Sequence, residues 1–437
     1  MKLIYNTIRR TMLAIALLCV FSSTAHAQST VVEESCDPHR TRLIPYPTAA
    51  SAAERGLEQQ RYMQPLTAWT TTVEGSLHSE FTYPFSWVER QIFARVEPMG
   101  QPYELYINGR RAGASTNGFA AAEFNITKLS KEEKNSVELV PLVGDNVTAI
   151  ECFDKTNSPT PTIYIISQPR VRVRDVAWRA TKGMGSVVNA DFSVVMHNET
   201  LGEKSSRLYY ELYLNDTIRL VGGHLDVKLG MRGCDTMRFG APIPDSVLWS
   251  NSNPMALSLR LHNRIAGRDV EFYNIAVAMR ELLFDNGTFH LNGIPVEVEW
   301  HDMSPLSTIE DIANAVNMGH SAIRFTAGYV SDEVLEYCDD RGIYVALTAP
   351  INSSKAGKSR KRGGNPSNNP AWRNDYVVRS CQMIHSTKRH PSVIAYFLAD
   401  DSANGICLYE SYLAMKAIAQ ERPIFYRDGG NEWNNDR

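Results

Sequence analysis

Two adjacent aspartates, Asp400 and Asp401, are the side chains whose position suggests chemistry most directly. They follow an apolar run at residues 393–398, whose length predicts a buried strand. Carboxyl groups can transfer protons in a reaction or accept hydrogen bonds from sugar hydroxyls. The structural alternative is that both are solvated and cap a helix predicted to begin near Leu408.

Other candidate side chains are an arginine and three tryptophans. Arg324 lies in a second apolar run, residues 322–325, and could hold a carboxylate or a sugar hydroxyl, or serve as a buried ion-pair partner. Trp300, Trp372 and Trp433 could each stack on a sugar ring, because an indole has a flat apolar face and one donor. Packing in a core or at a rim is the alternative for each tryptophan.

Charge is spread evenly along the chain except in one short loop. The 437 residues carry 45 basic and 48 acidic side chains, a formal charge of -3, which gives no overall field for binding nucleic acid. The loop is basic, and its five cationic residues are Lys355, Lys358, Arg360, Lys361 and Arg362. It is typical of a solvated surface loop, or it could dock an acidic partner such as an anionic polysaccharide or lipid headgroups.

Motifs for cofactors and metals are incomplete or missing. Gly183 and Gly185 lack the third glycine of a dinucleotide loop, and residues 319–323 lack the closing glycine of a nucleophile elbow. No HExxH or CxxC spacing occurs among the histidines and cysteines. We therefore expect no cofactor and no metal.

Three kinds of hydrophobic pattern divide the chain. Strand-length apolar or alternating segments at residues 91–96, 103–107 and 137–140, with a turn at Asn108-Gly109, predict an antiparallel sandwich. A second β-rich block begins after Pro169 and predicts another sandwich. After Arg280 short apolar strands alternate with helical patterns, which predicts parallel strands with crossover helices, as in an α/β barrel or a doubly wound sheet.

Four motifs in this order resemble glycoside hydrolase family 2, the β-galactosidase and β-glucuronidase type. They are YINGRRAG with FNIT at residues 106–127, FHLNGIPV at 289–296, AIR with LEYCDDRGIYV at 322–345, and RHPSVIAYFL at 389–398. The resemblance implies a jelly-roll sugar-binding-like sandwich, an immunoglobulin-like sandwich and a TIM-type (β/α) barrel.

The resemblance implies a retaining glycosidase mechanism, which needs two carboxyl groups about 5 to 5.5 Å apart. Asp400 and Asp401 stand where the family has Asn and its acid/base Glu, so Asp401 is the candidate acid/base. The first-strand motif is replaced by EWHDMSP at residues 299–305, from which we take Trp300 and Asp302, with Arg324, as candidate substrate-binding residues. Segment 282–437 holds five strand–helix units where a full barrel has eight, so the barrel and its nucleophile strand are expected to be incomplete.

These expectations combine into one interpretation with an alternative. We expect a signal peptide at 1–27, an N-terminal extension at 28–75, the jelly roll at 76–169, the immunoglobulin-like sandwich at 170–281 and the truncated barrel at 282–437. The signal implies export to the periplasm, the outer-membrane surface or the medium, without a transmembrane span. The function expected is non-catalytic, as a glycan-binding protein or an envelope or cell-surface assembly component, with an envelope protein or a second copy as possible partner. The alternative is an active β-glycosidase that uses Asp401.

Overall fold

The structure is a computed structural model that describes residues 42–436 except 55–60, 73–74, 143–149, 151–160, 183–184, 362–363 and 420, together with the backbone of one short strand at 36–37. The predicted signal peptide lies outside these residues. Within them, none of the helices has both the length and the apolar composition needed to span a bilayer.

Two five-stranded antiparallel sheets form the first sandwich. Their strand orders are β1-β8-β5-β10-β2 and β3-β4-β9-β6-β7. The strands are β1 (Cys36–Asp37), β2 (Met63–Leu66), β3 (Thr70–Thr71), β4 (Leu77–Phe81), β5 (Gln91–Val96), β6 (Tyr103–Ile107), β7 (Arg110–Ser115), β8 (Ala122–Asn125), β9 (Asn135–Pro141) and β10 (Ile163–Gln168), and a short helix, α1 (Ala49–Glu54), precedes β2. The turn predicted at Asn108-Gly109 is confirmed, with both residues in the left-handed region at φ 51° and 71°.

Part of the predicted N-terminal extension contributes strands to this sandwich. β2 pairs with β10 from Met63 to Leu66, and β3 pairs with β4. Residues 61–72 are therefore integrated into its sheets. The weak periodicity of this region did not show these strands because each is only two to four residues long.

The second sandwich packs a three-stranded sheet, β11-β12-β15, on a four-stranded sheet, β14-β13-β16-β17. Its strands are β11 (Val171–Lys182), β12 (Val187–Asn198), β13 (Lys204–Leu214), β14 (Ile218–Leu229), β15 (Cys234–Pro244), β16 (Leu257–Ile265) and β17 (Arg268–Val277). The sequence did not predict β14 or β15. In β14 the pair Gly222-Gly223 interrupts the alternation that marks a strand.

The third region contains a three-stranded antiparallel sheet and a five-stranded parallel sheet. The strands are β18 (Leu282–Asp285), β19 (Thr288–Leu291), β20 (Ile294–Val296), β21 (Trp300–Met303), β22 (Ala322–Phe325), β23 (Tyr344–Thr348), β24 (Val393–Phe397) and β25 (Ile424–Phe425). The helices are α2 (Ile309–Asn317), α3 (Asp332–Arg341), α4 (Arg373–Thr387) and α5 (Ile406–Ile418). β21 to β25 are parallel and lie in sequence order. The predicted class, two sandwiches followed by an incomplete TIM-type barrel, is confirmed.

Local sequence explains where the first crossover helices begin and end. Thr308 caps α2 in a reciprocal box with Asp311, and the Ser331 hydroxyl accepts the Val334 N–H at the start of α3. α3 ends at Gly342, which is left-handed at φ 67°. A Cβ there would lie 2.3 Å from the Asn251 carbonyl oxygen, so glycine is required by both conformation and contact.

The amino-terminal end of the parallel sheet is closed by aromatic side chains from the small antiparallel sheet. Phe289 lies 6.3 Å from the rings of both Trp300 and Phe425, and Phe284 lies 5.4 Å from Phe425. Trp300 and Phe425 belong to the first and fifth parallel strands. The small sheet therefore joins both edges of the parallel sheet from below.

The outer edge of β25, the last strand of the incomplete barrel, is covered by the chain itself. The Ile424 N–H donates to the Asp436 carboxylate at 2.8 Å, and the Ile424 carbonyl accepts the Asp436 N–H at 3.0 Å. The Tyr426 N–H donates to the Asn435 amide oxygen at 3.0 Å. The other edge strand, β21, pairs only with β22 among the described residues.

Two of the cysteines pack as small apolar side chains. Cys338 and Cys407 are free and buried in the core between the helices and the parallel sheet. Burial raises the pKa of both thiols to about 12, so they remain protonated at neutral pH.

Candidate functional site

Each of the five parallel strands delivers a polar side chain to the carboxyl-terminal end of the sheet, which we call the mouth. The five residues are Asp302 from β21, Arg324 from β22, Thr348 from β23, Asp400 just after β24 and Arg427 just after β25. Carboxyl ends of parallel strands meet at one edge, so residues far apart in sequence converge here.

Arg324 is the centre of this group. Its Nε and Nη2 donate to the two Asp302 carboxylate oxygens, each at 2.8 Å. Its Nη1 donates to Asp400 Oδ1 at 3.0 Å and to the Thr348 hydroxyl at 3.1 Å. The side chain is only 3% exposed. Of the two roles considered for Arg324, the structure shows a buried ion-pair partner, and its carboxylates come from the protein itself.

Arg427 forms a second fork on the same carboxylate. Its Nη1 and Nη2 donate to Asp302 Oδ2 and Oδ1 at 2.7 and 2.9 Å. Neighbouring strands are about 4.8 Å apart, so the first and fifth strands of a flat sheet would lie about 19 Å apart, too far for this contact. The sheet is therefore curled like the arc of a barrel, and the bidentate pair joins its two edge strands across the mouth.

The charges in this network fix its protonation. Hydrogen bonds from Arg324, and then from Arg427, hold the pKa of Asp302 well below its usual range. Burial alone would lower the pKa of Arg324, but its hydrogen bonds to Asp302 and Asp400 outweigh burial and raise it. Asp400 also accepts the Ala327 N–H at 2.6 Å. Arg324 and Asp302 are therefore ionised at neutral pH.

Asp401 is placed differently from its neighbour. The residue is exposed, and its carboxylate makes no hydrogen bond or ion pair with any other described residue. Its backbone is held, because its carbonyl accepts the Ser353 N–H at 3.1 Å. Neither aspartate caps the next helix: α5 begins at Ile406 after Gly405, which has no side-chain cap. The capping alternative for these two residues is therefore wrong.

The three candidate tryptophans lie in different surroundings. Trp300 packs edge-on against Phe289 in the aromatic group below the sheet. Trp372 is partly buried against the core beneath the helices. Trp433 is 56% exposed and lies 4.8 Å from the ring of Tyr409 on α5. None of them joins the Arg324 network, so a sugar-stacking role stays a prediction for each.

The basic loop lies beside residues that border the mouth. Arg360 donates to the Asn404 carbonyl at 2.9 Å and pairs with Glu432 at 3.3 Å, and Lys358 lies 4.0 Å from Asp428. The Arg360 and Lys358 side chains remain more than half exposed. No group of three or more potential metal ligands occurs among the described residues.

Comparisons with known proteins show which family the parallel-sheet segment resembles. Residues 301–436 match the family model described as "Glycosyl hydrolases family 2, TIM barrel domain". The barrel segment belongs to glycoside hydrolase family 2. A β-galactosidase of Priestia megaterium is 22% identical over 405 residues, which cover 87% of this chain and 39% of that protein.

Solved structures show the same family 2 architecture. A β-glucuronidase from Bacteroides uniformis superposes with a TM-score of 0.65 at 18% identity, covering 80% of this chain and 46% of the other. A β-glucuronidase from glycoside hydrolase family 2 gives a TM-score of 0.68 at 14% identity, covering 94% of this chain and 46% of the other. The chain spans less than half of each of these relatives.

Sequence reasoning missed two members of the polar group at the mouth. Arg427 and Thr348 were not proposed, although each stands at or just after the end of a short apolar strand. The same signal that selected Asp400, a polar residue at the carboxyl end of a strand, would have found both. Arg427 was obscured because β25 is only two residues long.

Proposed function

We propose that this protein is an exported, non-catalytic relative of the β-galactosidases and β-glucuronidases that binds carbohydrate at its mouth. The observation that carries the proposal is the Arg324 network. One buried guanidinium is hydrogen-bonded to both Asp302 and Asp400, so two of the carboxylates at the mouth are committed to an internal ion network.

Hydrolysis by the family's retaining mechanism needs one carboxyl that is protonated and a second that is ionised. Asp302 cannot supply the proton at neutral pH because two arginines depress its pKa. Asp400 is held by Arg324 and by the Ala327 N–H. Asp401 is free, but aspartate is one methylene shorter than the glutamate it replaces, and an error of about 1 Å can cost about 10²-fold in rate.

Binding needs only exposed hydrogen-bonding groups in a fixed arrangement. Asp302 is 37% exposed and Arg427 is 54% exposed, so both can reach a ligand while remaining paired. Asp401, which is exposed and directly follows Asp400 in the chain, adds a further acceptor. Because the Asp302 and Arg427 groups already satisfy each other, sugar hydroxyls gain little, and we expect dissociation constants on the order of 1 mM.

The test is calorimetric titration of the mature protein with β-galactosides and β-glucuronides, supported by a glycan array. Asp302→Asn should weaken or remove binding, whereas Asp285→Asn, at an exposed position in the small antiparallel sheet, is the matched control and should not. No binding to any glycan, or equal loss in both variants, would refute the binding proposal.

A second candidate is an active β-glycosidase with Asp401 as acid/base. It is favoured by one observation: Asp401 and Asp428 both lie close enough to Tyr426 to contribute to its raised pKa, although burial is the largest cause. Asp401, whose carboxylate makes no hydrogen bond with the described residues, and Asp428, which has Lys358 at 4.0 Å, are the two carboxyls that this candidate would use. This candidate requires turnover that is lost in Asp401→Asn and in Asp428→Asn alike, with Asp285→Asn active.

Export and a surface role rest on the sequence and on one exposed face. The N-terminus carries a cationic, then apolar, then small-residue pattern typical of a signal peptide. Leu306 and Met318, which stand before and after α2 in the chain, are 60% and 70% exposed, and exposed apolar side chains of this size support an envelope partner or a second copy of the chain. Mass spectrometry of the exported protein should find Gln28 at its N-terminus. An intact Met1 would contradict cleavage.

A further inference from the structure

A basic cleft lies at the opposite end of the parallel sheet from the mouth. It has a volume of about 670 Å³ and separates the β11-β12-β15 sheet from the loops that lead into β24 and β25. Six cationic side chains line it: Arg179, Arg238, Arg280, Lys388, Arg389 and Arg422. The single acidic residue in its lining is Glu421.

Three of these cations are neutralised by carboxylates at the margin. Lys388 pairs with Asp175, and Arg389 pairs with Asp332 and Glu336. Arg179 lies 3.7 Å from Asp191. These three contacts leave Arg238, Arg280 and Arg422 to be balanced within the cleft.

The remaining three cations share one carboxylate. Glu421 lies 3.3 Å from Arg422 and 3.9 Å from Arg280. Arg238 is exposed on β15 and forms no ion pair with the described residues. The six cations of the cleft thus face five carboxylates in all, and the excess positive charge lies at Arg238, Arg280 and Arg422, which have only Glu421 among them, in a chain whose net charge is -3.

Arg280 also presents an unused hydrogen-bond donor. Its side chain is 4% exposed, its Nε donates to the Pro391 carbonyl at 2.7 Å, and its Nη2 donates to the Val393 carbonyl at 2.8 Å. The buried Nη1 has no hydrogen-bond partner among the described residues. Burial, together with the nearby Arg422 charge, lowers the pKa of Arg280 to about 10. This Nη1 faces the Glu421 carboxylate at 3.9 Å, which balances part of its charge but is too long for a hydrogen bond, so an oxyanion in the cleft could accept the hydrogen bond that it lacks.

We propose that this cleft binds a phosphate group, either as the free ion or as the monoester of a small molecule. A phosphate carries about -1.5 to -2 charge at neutral pH and offers three strong acceptor oxygens, which suits a site where three arginines share one carboxylate and where the Arg280 Nη1 makes no hydrogen bond. The site does not depend on the function proposed for the mouth, since no residue is shared between them.

The test is calorimetric titration of the full chain with inorganic phosphate, glucose 6-phosphate and glucose at low ionic strength. We expect both phosphates, but not glucose, to bind with one-to-one stoichiometry, and Arg238→Gln to weaken binding about tenfold, or about 1.4 kcal/mol. Arg268→Gln removes the same charge from an exposed position on the other sheet of this sandwich and should change nothing.

The possible results distinguish free phosphate from a phosphate monoester as the ligand, and distinguish both from results that refute the proposal. Equal affinity for the two phosphates indicates that the free ion suffices, and tighter binding of glucose 6-phosphate indicates an ester; either supports the proposal. Absence of phosphate binding, binding of glucose alone, or equal weakening by Arg238→Gln and Arg268→Gln would overturn it. Arg238 is exposed, so its replacement leaves the folded core intact.

Discussion

The two ends of the parallel sheet are built from different kinds of residue. At the carboxyl end five strands deliver polar side chains that pair around Arg324. At the amino end aromatic rings centred on Phe289 fill the space between the first and fifth strands. The polar end follows the family's placement of active sites, whereas the aromatic end stabilises an arc of five strands. The two regions meet at Phe397, whose ring lies 5.1 Å from the Arg324 guanidinium and 5.4 Å from the Phe425 ring, so both contribute to the stability of the barrel, one through charge and the other through packing.

The largest effect is expected at the centre of the polar end. Arg324→Met removes the buried cation that pairs with both Asp302 and Asp400. Asp302 then keeps only exposed Arg427, and Asp400 loses its arginine. Loss of one member of a buried ion pair costs about 3 to 5 kcal/mol. Urea unfolding should show a loss of this size. A change below about 1 kcal/mol would mean that the network contributes little to the fold.

The matching change at the aromatic end is Phe289→Ala. Phe289 is 6% exposed and contacts Phe284, Trp300 and Phe425. Removal of a buried phenyl ring should lower the free energy of unfolding by about 3 kcal/mol. Leu283→Ala is the control, because Leu283 in the same sheet is 55% exposed and should change stability by less than about 0.5 kcal/mol. Similar losses in both variants would contradict the proposed role of the aromatic group.

Acid should reduce the contribution of the polar end to the free energy of unfolding and leave the contribution of the aromatic end unchanged. The pKa of Asp302 is depressed in the folded protein, so its contribution to stability is complete above its unfolded-chain pKa, near 4, and is lost as the pH falls through the lower folded value. The stability difference between the native protein and Asp302→Asn should therefore shrink between about pH 6 and about pH 3. A difference that stays constant over this range would show that Asp302 has an ordinary pKa.

The smallest effect is expected at Arg427, which binds the same Asp302 carboxylate from the solvent side. Its side chain is 54% exposed, so Arg427→Gln should cost less than about 1 kcal/mol and should be masked further by salt. Both arginines pair with Asp302, but Arg324 is buried and also bonds Asp400 and Thr348, so the comparison measures burial together with those two added contacts. Equal losses in the two arginine variants would show that burial does not set the strength of this network.

Sequence patterns predicted the fold well where a contact is local. The hairpin turn at Asn108-Gly109, the start of α2 near Ile309 and the strand Ala322–Phe325 all follow from neighbouring residues, and the structure has them at those positions. The parallel direction of the strands in the third region also followed from the alternation of strands and helices, whereas the barrel order of those strands followed only from the family resemblance.

Long-range pairings were beyond the reach of these patterns. The contact between Asp302 and Arg427 joins residues 125 positions apart, and it depends on the curl of the whole sheet. Asn435 and Asp436 cover the β25 edge with side chains that accept backbone hydrogen bonds. Such contacts produce no hydrophobic periodicity in the sequence, so the pattern could not predict them. Surplus charge in the basic cleft likewise arises only when Arg238, Arg280 and Arg422 from different regions converge.

Turnover of aryl β-galactosides and aryl β-glucuronides by the purified protein is the measurement that tests the central claim most directly. Because Arg324 occupies both Asp302 and Asp400, we predict no release of the aryl alcohol above buffer at neutral pH. Turnover that is present in the native protein, disappears in Asp401→Asn and persists in Asp285→Asn would contradict the account and establish an active glycosidase.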